Sequence, residues 1–185
     1  DGGRGDYYTA EGISVHKYFL RSPLEFSRIT SGFTESRLHP VLNKWRAHKG
    51  VDYGAPVGTH VKCTGDGIIE FVGRKGGYGN TVIVRHKNNY TTLYAHLSGF
   101  SPNIRQGRHV KQGDVIAYVG ATGLASGPHL HYEFRMNDVH KNPLEVTLPN
   151  AQPLNPAQKV TFKNLTADYF ASLNLLQQFD LAQSH

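Results

Sequence analysis

The residues of this chain whose types and spacing suit chemistry are histidines and one aspartate. His129 and His131 stand i, i+2 in the β-prone run His129-Leu-His131-Tyr-Glu-Phe. On a strand that spacing puts both imidazoles on one face, roughly 6 to 7 Å apart at the backbone. One ring can then hold a metal while the other faces whatever the metal activates. His48 and Asp52 stand four apart, which on a helix would also give one face, but Gly50, Gly54 and Pro56 argue against a helix there. In a fully extended strand the same pair would be about 13 Å apart, too far for two ligands each about 2 Å from one ion. If both bind one metal the chain must bend between them, and Gly50 is where it can. His96, in Tyr94-Ala-His96-Leu, sits on a strand or at its end.

Together these residues make a coherent set. Two histidines and one carboxylate are three ligands that leave a zinc position open, the arrangement of catalytic rather than closed structural sites. Two histidines then remain, and imidazole titrates where a general base or a hydrogen-bond donor is useful at neutral pH. Residue types alone do not say which histidine does which job.

The elements that must position this set are mostly strands. A chain of 185 residues, with 20 glycines, 9 prolines and only 18% charged residues, reads as a turn-rich, mainly β protein with an antiparallel sheet. Strands are predicted over Thr59 to Thr64, Ile68 to Val72, Thr81 to His86, Tyr90 to Leu97, Val115 to Gly120 and His129 to Arg135, separated by Gly- and Asn-rich turns. A last strand is expected over Leu144 to Leu148. Residues 29 to 45 read as loop-rich, and Tyr7 to Leu20 as one or two short strands. After Pro149, a linker spanning Asn150 to Gln158 leads to an amphipathic helix from about Asn164 to Leu181, with Leu165, Tyr169, Leu173 and Leu176 at helical spacing and Asn164 or Thr166 as cap. Three segments follow: 1–28 as an N-terminal segment of edge strands or the remnant of an upstream domain, 29–149 as the domain that carries the histidines, and 150–185 as linker and helix.

Composition narrows the partners. The net charge of +6 suits an anionic partner, but the charges are dispersed and form no nucleic-acid patch. Cys63 is the single cysteine, which excludes an internal disulfide and a Cys-based zinc site and reads as a buried thiol. No apolar run is long enough to span a bilayer, and any export signal or anchor would lie upstream.

The motifs His48-x-x-x-Asp52, Tyr94-Ala-His96-Leu and His129-Leu-His131 resemble, in order and spacing, those of the M23 zinc metallopeptidases, the lysostaphin- or LytM-type peptidoglycan endopeptidases. Ser36-Arg37-Leu-His39-Pro40-Val and Gly113-Asp114-Val-Ile-Ala-Tyr-Val-Gly120 are also similar to that family, so the resemblance covers roughly Ile29 to Pro149. It implies a LytM-type antiparallel core, with His48, Asp52 and His131 binding Zn2+ and His96 and His129 flanking the attacking water. Arg37 falls at a matching position and is assigned to substrate binding or support of the site. The implied activity is hydrolysis of peptide bonds in bacterial peptidoglycan, in the periplasm or cell envelope. D-alanyl to diaminopimelate cross-links are favoured over glycyl-glycine bridges, and an inhibitory or targeting domain is expected upstream.

Two other readings compete. A non-catalytic wall-binding or activator module on the same fold would be expected to lack metal ligands or catalytic histidines, and this chain lacks none of the five. A swinging-arm carrier domain shares the phrase Val110-Lys-Gln-Gly-Asp-Val-Ile-Ala-Tyr-Val-Gly, but no lysine stands at a suitable hairpin tip. His16, His60, His109, His140 and His185 read as surface or packing residues. His39 and His86 are candidates for supporting groups.

Overall fold

The computed structural model describes residues 8–12, 18–38, 45–148 and 154–183. They divide into two compact units. One is Phe19–Thr147; the other combines Asp1–Tyr18 with Leu148–His185.

The first unit is an antiparallel sheet structure. In chain order its strands are β1 (Arg28–Ser31), β2 (Thr34–Leu38), β3 (Trp45–His48), β4 (Val51–Gly54), β5 (His60–Lys62), β6 (Gly67–Arg74), β7 (Asn80–His86), β8 (Tyr90–Phe100), β9 (His109–Val110), β10 (Val115–Val119), β11 (His129–Met136) and β12 (Val139–Lys141). The main sheet runs β1-β4-β11-β8-β7-β6-β9, with β12 beside β11 and β10 between β5 and β8; β2 and β3 form a separate ribbon.

Turn chemistry explains the central meander. Asn88 and Asn89 at the β7–β8 junction both take the left-handed conformation, φ 57° and 58°, which asparagine tolerates and which matches strand twist. Asn137 and Asp138 do the same between β11 and β12 (φ 48° and 62°), closing a hairpin that the sequence reading did not anticipate.

Along β11, alternation sends Leu130, Tyr132 and Phe134 into the core and His129, His131 and Glu133 to the opposite face. The core face is nearly sealed: Leu130, Phe134 and Tyr94 are all buried, while Leu93, opposite Glu133, packs with Ile83 and Ala95 on the other face. Phe19 is fully buried and packs edge-on against Phe134, His86 and Tyr90, so residues ahead of Ile29 contribute to this core. Cys63 is buried as expected, and burial pushes its thiol up to about 12.

Three expectations change. Residues 29 to 45 hold parts of β1, β2 and β3 rather than loop alone. Leu144–Leu148 is not a strand: Asn142 accepts the backbone N–H of Leu144 on its side chain and those of Glu145 and Val146 on its carbonyl, and this turn replaces a ladder. The helix α1 spans Pro156–Gln183, starting eight residues before the predicted Asn164. Its start is a capping box: Asn155 Oδ1 accepts from the Gln158 N–H at 2.8 Å, and Gln158 Oε1 accepts from the Asn155 N–H at 3.1 Å, with Pro156 at the first helical position. Leu165, Tyr169, Leu173 and Leu176 all lie on this helix and are exposed. No helix among the described residues is long and apolar enough to cross a membrane. Of the strands expected over Tyr7 to Leu20, residues 13 to 17 lie outside the described residues, and Tyr18, Phe19 and Leu20 form bend and coil rather than strand.

Candidate active site

Sheet order brings the chemistry together. In the β4–β11 ladder Asp52 is the direct partner of His131, and in the β11–β8 ladder His131 is the partner of Ala95, the residue before His96. Three adjacent strands therefore carry Asp52, His131 and His96 side by side. His48 joins them by the bend the sequence required: β3 ends at His48, Gly50 turns the chain, and β4 begins at Val51. The spot demands glycine through proximity. A Cβ on Gly50 would lie 2.5 Å from the Tyr132 carbonyl oxygen and 2.7 Å from His131 Cε1.

His96 reaches the site through a bulge. Tyr94 pairs with Val82 and Leu97 with Asn80, so three steps along β8 match two along β7 and one residue is extra. His96 itself has φ 59°, a left-handed conformation that costs a non-glycine residue about 1 kcal/mol or more and is held by its surroundings.

Three donor atoms converge. His48 Nε2 lies 3.0 Å from Asp52 Oδ1 and 3.1 Å from His131 Nδ1, and His131 Nδ1 lies 2.8 Å from Asp52 Oδ1. Tetrahedral zinc ligands at about 2.0 to 2.1 Å would stand about 3.3 Å from one another, close to this spacing. Proton bookkeeping points the same way. His48 Nδ1–H donates to the Gly32 carbonyl at 2.7 Å, and His131 Nε2–H donates to Glu133 at 3.1 Å. Each ring's remaining nitrogen thus turns a lone pair toward the Asp52 carboxylate, and lone pairs gathered so closely need a cation between them, either a proton or a metal ion. Burial opposes ionisation of Asp52, but its bonds to His131 and His48 outweigh burial and hold the carboxyl well below its ordinary range. For His131 burial pulls downward, and the carboxylates of Asp52 and Glu133 outweigh it and raise the pKa.

His96 and His129 are oriented by the same device. His96 Nδ1–H donates to the Thr122 carbonyl and His129 Nδ1–H to the Gly127 carbonyl, both at 2.8 Å. Each keeps a free lone pair on Nε2. Their rings are 4.7 Å apart, and His129 Nε2 is 3.9 Å from Asp52 Oδ1. Burial lowers His96 to about 4, against the opposing pull of the Thr122 carbonyl, so it is neutral and able to accept a proton at pH 7. All five side chains line one groove of about 530 Å³. Leu124, Ser126, Gly127 and Pro128 from the small-residue loop form one wall, with Thr30 and Ser31 also lining it.

Sequence reasoning missed several contributors. Glu133 is buried and receives bonds from His131, from Tyr78 Oη (2.7 Å), from Arg135 and from His140 (3.0 Å). Burial raises its pKa, but these donors prevail and hold it at about 2. Its signal was present, since Glu133 is i+2 from His131 on the same strand face. His140, expected at the surface or in packing, is half-buried and tied to Glu133. Thr122 uses its hydroxyl to accept from the Asn80 N–H (2.9 Å) and to donate to the Leu97 carbonyl (2.8 Å), fixing the carbonyl that holds His96. The carbonyls of Gly32, Thr122 and Gly127 carry no sequence signal, because every residue has one.

Other histidines lie elsewhere. His86 is buried, donates to the Asp66 carbonyl and lies 2.8 Å from Thr92 Oγ1; its polar partners include none of the five site residues. His60 and His109 are exposed, and His16, His39 and His185 lie outside the described residues. Arg37 pairs through its backbone with Arg46 in the β2–β3 ribbon, and its side chain lies outside the described residues.

Comparison with known proteins identifies the family. Residues 46–143 match the model of peptidase family M23. The chain is 48% identical over 162 residues to the peptidoglycan DD-endopeptidase ShyC of Vibrio cholerae, covering 88% of this chain and 37% of that protein. It is 52% identical over 144 residues to the DD-carboxypeptidase/endopeptidase Mpg of Neisseria meningitidis, covering 78% and 32%. The chain thus spans about a third of the length of these relatives. Among solved structures, a zinc containing peptidase from Vibrio cholerae superposes with a TM-score of 0.67 at 36% identity, covering 78% of this chain and 45% of that one. The catalytic domain of lysostaphin from Staphylococcus simulans gives 0.56 at 28% identity, covering 64% and 90%. With its family match spanning every residue of the convergent site, the chain belongs to peptidase family M23.

Proposed function

We propose that this chain is a zinc-dependent endopeptidase that hydrolyses D-alanyl to diaminopimelate cross-links in bacterial peptidoglycan, acting in the periplasm or cell envelope. The observation that carries the reading is the convergence of His48 Nε2, Asp52 Oδ1 and His131 Nδ1 within 3.1 Å of one another, beside two histidines with free Nε2 lone pairs. The names of ShyC and Mpg supply the substrate class.

In this reading His48, Asp52 and His131 hold zinc. Zinc in such a three-ligand set supplies Lewis acidity, polarising a carbonyl and lowering the pKa of water toward about 7. The chain's own residues do the rest. A neutral His96 or His129 takes a proton from the attacking water on Nε2, its Nδ1–H remaining fixed on the Thr122 or Gly127 carbonyl. The protonated imidazole then returns that proton to the leaving amine, and the other ring donates to or positions the reacting carbonyl. The loop Leu124 to Pro128 confines the peptide on one side of the groove, and Arg37 supports substrate from the β2–β3 ribbon. Residues 29–149 carry the catalysis, flanked by the segments 1–28 and 150–185, and an upstream inhibitory or targeting domain completes the protein.

Digestion of diaminopimelate-type sacculi followed by separation of muropeptides tests the proposal. Loss of cross-linked dimers with gain of monomers is the expected result. Cleavage of pentaglycine bridges alone would transfer the enzyme to the other bond class, and zinc binding without any hydrolysis would make the chain a wall-binding module.

A further inference from the structure

Lys49 is the one lysine or arginine among the described residues that line the groove. It follows His48 at the end of β3 and is exposed. No carboxylate among the described residues pairs with it within 4 Å. The two carboxylates of the groove are otherwise committed: Asp52 to His48 and His131, and Glu133 to His131, Tyr78, Arg135 and His140. Among the described residues Lys49 therefore forms no ion pair with an acid of its own site, and its ammonium stands exposed at the rim of the cleft.

We infer that Lys49 pairs with a carboxylate that the substrate carries next to its scissile bond. The inference rests on the reading above and narrows it. In a D-alanyl to diaminopimelate cross-link, the carbon bearing the scissile amide nitrogen also bears a free carboxylate. A glycyl-glycine bridge carries no charge at that place. Lysine suits the task, because its ammonium is a point charge on a flexible stem that can follow a carboxylate into position. Inside a groove partly shielded from water the pair is stronger than on an open surface. Lys49 adjoins His48, so the contact places the leaving-group side of the peptide at the β3 end of the groove.

Two synthetic cross-linked dimers, identical except that the carboxylate at the cross-linked centre is free in one and amidated in the other, test this. The readout is the ratio of kcat/KM for the free over the amidated dimer, with zinc content measured on every protein. The zinc-loaded wild type is expected to prefer the free dimer about tenfold, mainly through KM. Lys49→Met and Lys49→Gln should bring the ratio close to one, and Lys49→Arg should keep most of it. A wild-type ratio near one, or a ratio in Lys49→Met equal to that of the wild type, overturns the inference. A wild-type protein that cleaves neither dimer refutes the proposed function, and the Lys49 pairing falls with it.

Discussion

Glu133 accepts the Nε2–H of His131 at 3.1 Å, and this leaves Nδ1 as the ring nitrogen that His131 turns, unprotonated, toward Asp52. The carboxylate therefore chooses the tautomer and locks the ring orientation. Removing it should weaken metal binding without touching a ligand. Glu133→Ala is expected to lower zinc affinity about 10- to 100-fold, measured by competition with a chromophoric chelator. Glu133→Gln, which keeps an acceptor oxygen, should lose less. Unchanged affinity in Glu133→Ala would show that Asp52 and His48 suffice to orient His131.

The two histidines of His129-Leu-His131 should separate cleanly on substitution. His131→Ala should lose both bound zinc and hydrolysis. His129→Ala should keep its zinc and lose about 10²- to 10⁴-fold in turnover, the usual worth of positioned acid–base catalysis. Metal analysis of the purified variants beside a muropeptide assay decides it, and full zinc with normal turnover in His131→Ala would remove that residue from the ligand set.

Gly50 is required by space rather than by backbone angle. In Gly50→Ala the new methyl meets the Tyr132 carbonyl oxygen at 2.5 Å and the His131 ring at 2.7 Å, so β11 and the β3–β4 bend must part. The expected outcome is a variant that remains folded by circular dichroism, melts several degrees lower and binds zinc at least about tenfold more weakly. Wild-type affinity would mean that the bend can move away without disturbing His131.

His86 makes stability depend on pH. It is buried, and burial lowers its pKa to about 4, against an opposing pull from Asp66. Between about pH 6.5 and pH 4 the unfolded chain therefore binds a proton at this position that the folded chain does not, and stability rises with pH through that window. The contribution is complete above about 6.5 and fades as pH falls toward 4, by up to about 1.4 kcal/mol per pH unit. Urea unfolding at pH 7.0 and 4.5 should show a smaller loss in His86→Gln than in the wild type. His96 acts in the same window, so the comparison with the variant is what isolates His86. Equal losses would mean that His86 is already charged in its buried site.

Much of this molecule could be read in the order of its residues, for physical reasons. Strands such as β7 and β8 announce themselves through β-branched runs ended by Asn88-Asn89, and the bend at Gly50 followed from the reach of two ligands. Other parts are set by contacts distant in sequence. That Asp52 sits opposite His131 depends on β4 and β11 becoming neighbours across a separation of 79 positions, a pairing no local pattern encodes. The bulge that turns His96 is invisible for the same reason, since it exists only as a mismatch with β7. The start of α1 is legible in the residues: Asn155-Pro156-x-Gln158 contains cap, first-turn proline and reciprocal partner, although Pro153 and Pro156 together also suit a linker. Glu133 likewise carries a signal, standing two residues from His131 on the same strand face.

The backbone of the turn Gly76 to Gly79 lies directly against that of the loop at Thr122 and Gly123. A Cβ on Gly79 would fall 2.4 Å from the Thr122 carbonyl carbon, and one on Gly123 would fall 2.4 Å from the Gly79 nitrogen. Tyr78, Leu124 and the carbonyl that holds His96 are thus carried on two main chains in contact, with the Thr122 hydroxyl packed beside Gly79 and bonded to the Asn80 N–H. New substrate preferences on this flank must come by exchanging outward residues such as Leu124 or Ser126. A lineage that replaced either glycine would have to rebuild the support of His96 in the same step.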